Sequence, residues 1–486
     1  MNSNEEKPMR AVAQVWLRAF AGAALLGLGV MACSPERVVG NAKLPPDIPD
    51  PTAVQTPAGA VSAYHGALAH FHSAFGGEGS DFVSASGILA DELQVEQIGV
   101  PIGVFGTNMR LDSRTMPEVL NPGFNERGDA YGSVYAALQK VRGQVAMARG
   151  LLTHYAPDSL QALSGHLYVL EGYAEIFLAD LYCSGIPLST VDFDGDYTLR
   201  AGSSTSDVYR LAVTLFDSAI TLAADSARIV NVARVGKARA LLALAEYDQA
   251  AQAVAEVPDD FRYAVSYVNR PGSRSFAYFG PGVARPYPVA DREGENGLDY
   301  ISSHDPRTAA TPIAATTYDG RPIYFPNKYA TTGDSPIVLA SGIEARLIEA
   351  EVALQSGDAG WLTTLNALRT DGTYDTQPDA QDSTSVDTLW HAGSGGTAGL
   401  APLADPGTPA ARLDLLFRER AFWLFLTGHR QGDMRRLIRN YGIEPGRVYP
   451  TGPYPGGAGH YGTDVTAPIV GESSNPYFHG CSSRSA

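Results

Sequence analysis

The stretch "RERAFWLFLTGHRQGDMRRL", Arg418 to Leu437, joins two unlike halves. Leu413, Leu416, Phe417, Ala421, Leu424 and Phe425 recur at three- and four-residue spacing, which puts them on one face of an amphipathic helix with Gly428 as its natural stop. Beyond the glycine, "HRQGDMRRLIR" predicts a second helix with Met434, Leu437 and Ile438 turned inward. His429 lies four residues before Asp433, and Asp433 three before Arg436, so each pair can meet on one helix face. Glu419 and Arg420 can join them from the preceding helix. Buried charges are tolerated only when paired, so the segment reads as an apolar stripe plus an ionic knot fixing the angle between two helices.

Working outward, the same helical period recurs in pairs. "AGAVSAYHGALAHFHSAFG" sets Val61, Tyr64, Leu68 and Phe71 on one face. "RGDAYGSVYAALQKVRGQVAMARGLLTHY" and "PDSLQALSGHLYVLEGYAEIFLADLY" meet at Ala156-Pro157 and predict an antiparallel hairpin, with Pro157 in a first turn. Val208, Leu211, Leu215 and Ile220 mark the next helix. Its partner, with small residues at Ala238, Ala243, Ala250 and Ala251, Tyr247 at the bend and Pro258 at the end, looks like a tetratricopeptide unit. "ASGIEARLIEAEVALQSGD" with "WLTTLNALRTDG" forms a third pair. The spacing between units is irregular, which predicts a compact domain on a helical scaffold rather than an open solenoid. Long segments at 75 to 125, about 259 to 336, about 371 to 408 and 441 to 486 are rich in Gly, Pro, Ser, Thr, Asp and Tyr and lack helical period.

The N-terminus has its own logic. Lys7, Arg10 and Arg18 precede "AFAGAALLGLGVMA", an apolar run too short to span a bilayer comfortably, and the run ends at "VMAC" with Cys33 after Ala32. This resembles a bacterial lipobox, predicting a signal peptide over 1–32, cleavage, and acylation of Cys33. The alternative is a buried cysteine in an N-terminal helix. Residues 33–58, rich in Pro and turn formers, read as an extended tether, followed by one domain over 59–486. Loss of residues 1–32 takes the net charge from -16 to -17. No dense basic run accompanies that acidity, which excludes a nucleic-acid-binding surface. Export brings an oxidising compartment, where Cys183 and Cys481 either pair or remain separate buried thiols.

The opening segment resembles the C-terminal hallmark of SusD/RagB-type nutrient-uptake lipoproteins, in which Arg/Glu and Phe positions precede a Gly-His-Arg-x-x-Asp-x-x-Arg run. The matching positions are Glu419, Phe422, Gly428, His429, Arg430, Asp433 and Arg436. "EARLIEAEVALQSGD" with "LNALR", and "GYAEIFLADLYCSGIPLS", are similar to further family segments, as are "DPR" and "NKY" in the middle loops. Thr427 stands where an acidic residue is common, and Gly432 where an aromatic is usual. The resemblance implies a mostly α, SusD-like fold: a tetratricopeptide-like helical-pair scaffold with long irregular loop insertions. It also implies an outer-membrane lipoprotein facing outward that docks on a SusC-type TonB-dependent transporter and captures an oligosaccharide or peptide.

Tyrosine offers a flat apolar face plus a hydroxyl, which suits a sugar ring or a peptide. By position, Tyr278, Phe279, Tyr287 and Tyr300 are the ligand candidates in the aromatic-dense segment, with Phe105 and Asn108 in the first long loop. No HExxH, GxSxG, P-loop, EF-hand loop or Cys/His cluster occurs, so no metal, cofactor or catalytic residue is expected. A catalytic His429–Asp433 pair lacks an accompanying nucleophile. The competing reading is a tetratricopeptide-like lipoprotein scaffold for envelope assembly without a small ligand.

Overall fold

Thr56 and Pro57 begin the helical scaffold: the Thr56 hydroxyl accepts the Gly59 N–H at 3.0 Å, and proline fills a first-turn position that needs no donor. Helix α1, Pro57–Gly76, therefore starts inside the segment expected as tether. A computed structural model describes residues 54–78, 81–95, 114, 130–156, 160–191, 196–278, 288–316, 322–370, 400–454 and 459–485. The expected signal peptide, Cys33 and most of the tether lie outside these residues.

After α1 come α2 (Phe82–Leu89), α3 (Ala130–Tyr155), α4 (Gln161–Leu181), α5 (Thr205–Leu222), α6 (Ala227–Ala243) and α7 (Tyr247–Val254). Helix α1 packs on α3, α3 on α4, α4 on α5, α5 on α6 and α6 on α7, the succession the helical periods predict. The expected face of α1 is buried at Tyr64, Leu68 and Phe71, while Val61 is only partly covered. Aromatic stacking ties the first layers together: Phe177 of α4 lies 4.0 Å from Phe82 and 5.4 Å from Phe75 between ring centroids.

Helix α2 corrects the expectation of an irregular loop across 75 to 125. All eight of its residues are buried, which a hydrophobic-moment pattern cannot signal because the helix has no solvent face. Asp81 caps it, accepting the Ser84 N–H at 2.8 Å. Burial outweighs the Ser84 hydrogen bonds and pushes the Asp81 carboxyl up to about 7. A folded-state pKa above the unfolded value costs stability as pH rises from about 4 through about 7. Asp81→Asn keeps a good cap without the charge. Thermal melts at pH 5 and pH 8.5 should show the wild type losing stability on alkalinisation and the variant losing less.

Short antiparallel pairs punctuate the helices: β1 (Ile186–Pro187) with β4 (Gly202–Ser203), and β2 (Thr190–Val191) with β3 (Tyr197–Thr198). In the aromatic-dense segment, β5 (Arg262–Val265) pairs with β8 (Ile337–Ser341), and β6 (Ala310–Thr316) with β7 (Pro322–Pro326). That segment is thus ordered in part as strands, and Tyr263, Tyr267, Phe276, Phe325 and Tyr329 fill the core. Helices α8 (Gly342–Ser356) and α9 (Gly360–Thr370) form the third pair, onto which α10 (Pro409–Trp423) packs. Ile343, Leu347, Trp361, Leu365, Leu416 and Phe417 belong to one apolar cluster there, so the stripe of the opening segment is core.

Two short helices, α11 (Arg430–Arg439) and α12 (Pro445–Val448), precede a C-terminal run that returns to α4. Ala467 forms a parallel bridge with Tyr182, Ser483 an antiparallel one with Ser184, and Cys183 is bonded to Cys481 across a sequence separation of 298. Among the described residues no helix is long and apolar enough to cross a membrane.

Candidate functional site

Helix α10 ends at Trp423, five residues before the glycine expected to stop it. The turn that follows contains Leu426 at φ 54°, a left-handed conformation that a leucine resists. Its backbone is held on both sides: the Leu426 N–H donates to Glu92 Oε1 at 2.8 Å, and the Tyr329 hydroxyl donates to its carbonyl at 2.7 Å. Gly428 is needed for two reasons, a φ of 80° and a Cβ position that would meet Phe82 at 2.8 Å.

The ionic knot exists, with more partners than expected. Arg420 grips Asp433 through Nε at 2.8 Å and Nη2 at 3.0 Å, and Arg436 reaches Asp433 at 2.8 Å and Glu351 of α8 at 2.7 Å. Glu419 turns the other way and accepts from Arg307 at 2.6 Å and Arg369 at 2.7 Å. Arg430 forks onto Asp91 at 2.7 and 2.9 Å. Burial pushes the Asp433 carboxyl up, but Arg420 and Arg436 outweigh it and hold it far below the usual range.

His429 pairs elsewhere than with Asp433. It stands at the N-cap of α11, where helical spacing does not yet aim its ring along the helix face. Its Nε2 accepts from Arg239 and lies 3.1 Å from Glu344, and its Nδ1 is 2.8 Å from Thr427 Oγ1. An arginine donating to Nε2 leaves the proton on Nδ1, which donates to Thr427, whose hydroxyl donates to the Leu424 carbonyl. Burial and then Arg239 lower the His429 pKa, keeping the ring neutral. Both ring nitrogens are engaged in a buried site, an arrangement suited to bracing rather than proton transfer. Thr427, standing in for the usual acid, completes that brace.

Gly432 also has a local reason. A Cβ there would meet both carboxylate oxygens of Asp180 at 2.9 Å, and Asp180 accepts from the Tyr209 hydroxyl. The neighbouring Arg435, fully buried, donates to the carbonyls of Ala179, Asp180 and Tyr182 and so closes the C-terminal end of α4. Helical spacing within the opening segment does not point to Arg435, Arg239, Glu344 or Asp91. Glu344 and Glu351, two helical turns apart, were the legible signal that α8 offers carboxylates along one face.

The ligand candidates fare unevenly. Phe105, Asn108, Phe279 and Tyr287 lie outside the described residues. Tyr300 is corrected: it is fully buried, stacks between Phe422 and Phe425 at 5.5 and 4.9 Å, and directs its hydroxyl at Asp91, so no ligand reaches it. Tyr278 is partly exposed, with the Arg274 guanidinium 3.9 Å from its ring centroid. Arg274 in turn lines a cleft of about 180 Å³ with His72, Ser266, Tyr267, Val268 and Ser273. A guanidinium stacked on a phenol at the edge of such a cleft offers a flat face and charged donors, which suit a hydroxylated ligand. Among the described residues no group of His, Cys, Asp and Glu is arranged to hold a metal.

No protein-family model matches the sequence, and no curated protein is significantly similar to it. Solved structures do match. B. fragilis NanU superposes with a TM-score of 0.56 at 15% identity, covering 90% of this chain and 99% of that one. Surface glycan-binding protein A from Bacteroides uniformis gives 0.58 at 14% identity over 88% and 99% of the two chains. A SusD superfamily protein from Bacteroides thetaiotaomicron gives the same score, identity and coverage.

Proposed function

We propose, from the SusD-like fold that this chain has, that it is a non-enzymatic surface lipoprotein. In this reading it captures an oligosaccharide and delivers it to a SusC-type TonB-dependent outer-membrane transporter. The observation that carries the reading is the extent of the fold match, which takes in almost the whole of a surface glycan-binding protein and of a laminarin-binding SusD-like protein. The buried, fully engaged His429 supports it by giving the charged segment a bracing role. The N-terminal lipobox-like run, ending at Cys33, supports attachment to a membrane through acyl chains. A peptide ligand fits the same chemistry, but the glycan-binding proteins that share this fold favour sugar.

Tyr278 and Arg274 are the described residues on which capture is placed. Tyr278→Ala should weaken glycan binding by roughly 1–3 kcal/mol, as expected for one lost stacking face. Calorimetric titration against a glycan panel measures it, and an unchanged melting temperature separates a lost contact from a lost fold. The whole reading is tested by extracting native membranes in mild detergent and identifying what accompanies the tagged protein. A TonB-dependent barrel in stoichiometric amount supports it. Recovery with envelope-assembly proteins alone, or as a soluble protein with Cys33 unacylated, overturns it in favour of a scaffold.

A further inference from the structure

We propose that a small cavity between the β5–β8 pair and the end of α10 binds a monovalent inorganic anion such as chloride. Arg262 of β5, Ser341 of β8, Lys328, Trp423 and Thr427 line it, and its volume is about 40 Å³. On the same measure one water needs roughly 10–15 Å³, so the cavity suits a single ion with a water and excludes a sugar, which needs a pocket of several hundred. It is therefore separate from the glycan reading and does not depend on it.

The donors set the sign of the ligand. Trp423 is 3% exposed, and its indole Nε1–H, which can only donate, is buried without a hydrogen-bond partner. Lys328 spends one of three N–H donors on the Phe425 carbonyl at 2.6 Å. Arg262 is 5% exposed and close enough to Lys328 to depress its pKa. Glu92 is the carboxyl coupled to Lys328. Burial pushes Glu92 up to about 8, so near neutral pH it supplies little negative charge. Burial draws Lys328 down to about 8, which still leaves it mostly protonated there. Two cations and a donor-only indole around a cavity of ionic size define an anion site. An ion held there links β5, β8 and the turn after α10.

The test compares halide with a bulky anion. Crystals soaked in sodium bromide should show anomalous density in the cavity, within hydrogen-bond reach of Lys328 Nζ and Trp423 Nε1. At fixed ionic strength, replacing sodium gluconate by sodium bromide should raise the melting temperature by about 2 °C. Lys328→Met should abolish that difference. Trp423→Phe, which removes the donor but keeps the packing, should weaken bromide binding roughly tenfold. Absence of bromide from the cavity, a melting temperature indifferent to the anion, or the same shift in Lys328→Met overturns the proposal. Should Lys328→Met fail to fold, the diffraction and the salt comparison on the unaltered chain decide.

Discussion

Asp433→Ala should destabilise the protein by about 3–5 kcal/mol, the usual cost of leaving buried charges without their partner. Arg420 and Arg436 both rest on this one carboxylate, and Glu351 alone would then face two guanidiniums. Urea unfolding measures the loss, and a cost below about 1 kcal/mol would mean that the ion pairs do not hold the two helices. The same network predicts acid sensitivity. Burial raises the Glu344 carboxyl, but Arg239 above all overrides it and brings it down to about 2, and Asp433 is likewise depressed. Carboxyls with depressed folded-state pKa values contribute stability above their unfolded values near 4. That contribution is lost as pH falls from there through about 2. Melts between pH 5 and pH 2 should therefore drop steeply in the wild type, and less steeply in Asp433→Ala.

Removing the bond between Cys183 and Cys481 should have an effect of comparable size, about 2–5 kcal/mol. The bond closes a loop of nearly 300 residues, so the denatured chain gains much freedom when it is absent. Cys183→Ala with Cys481→Ala, followed by denaturant unfolding, measures this. Proteolysis adds a local readout, because the run from Ala467 to Ser483 is otherwise held by bridges at its two ends and by single hydrogen bonds from Tyr135 to Glu472 and from Asn475 to Arg200. Cleavage confined to that tail, with the scaffold intact, is the expected pattern.

These two features show where the sequence was readable. The apolar faces of α1 and α10 followed from three- and four-residue spacing, and so did the contact of Asp433 with Arg436 within one helix. Where the partner lay far away in the chain, spacing was silent. Asp91 for Arg430 and Arg239 for His429 are separated by 339 and 190 positions, and only the packing of helices brings them together. The His429–Asp433 pair failed for a local reason: helical spacing governs residues inside a helix, and His429 precedes the first turn. Tyr300 failed for a compositional one. Tyrosines in a segment rich in glycine and proline look like surface, yet this one has a buried carboxylate for its hydroxyl and two phenylalanines for its ring. Tyr278 keeps part of its exposure, with the Arg274 guanidinium over its ring and Gly333 packed against its Cβ.

The distance in sequence between the partners of the ionic knot also sets an order of assembly. Each helical pair from α3 to α7 joins neighbours in the chain, and such local contacts form quickly. Glu351 and Asp91 gain their counter-charges only when residues 419–436 dock. An emerging chain that has made its helices but not yet this segment carries a charged, half-closed face. Docking of α10 and α11 is therefore expected to follow assembly of the helical pairs, because its ion pairs join positions far apart in the chain.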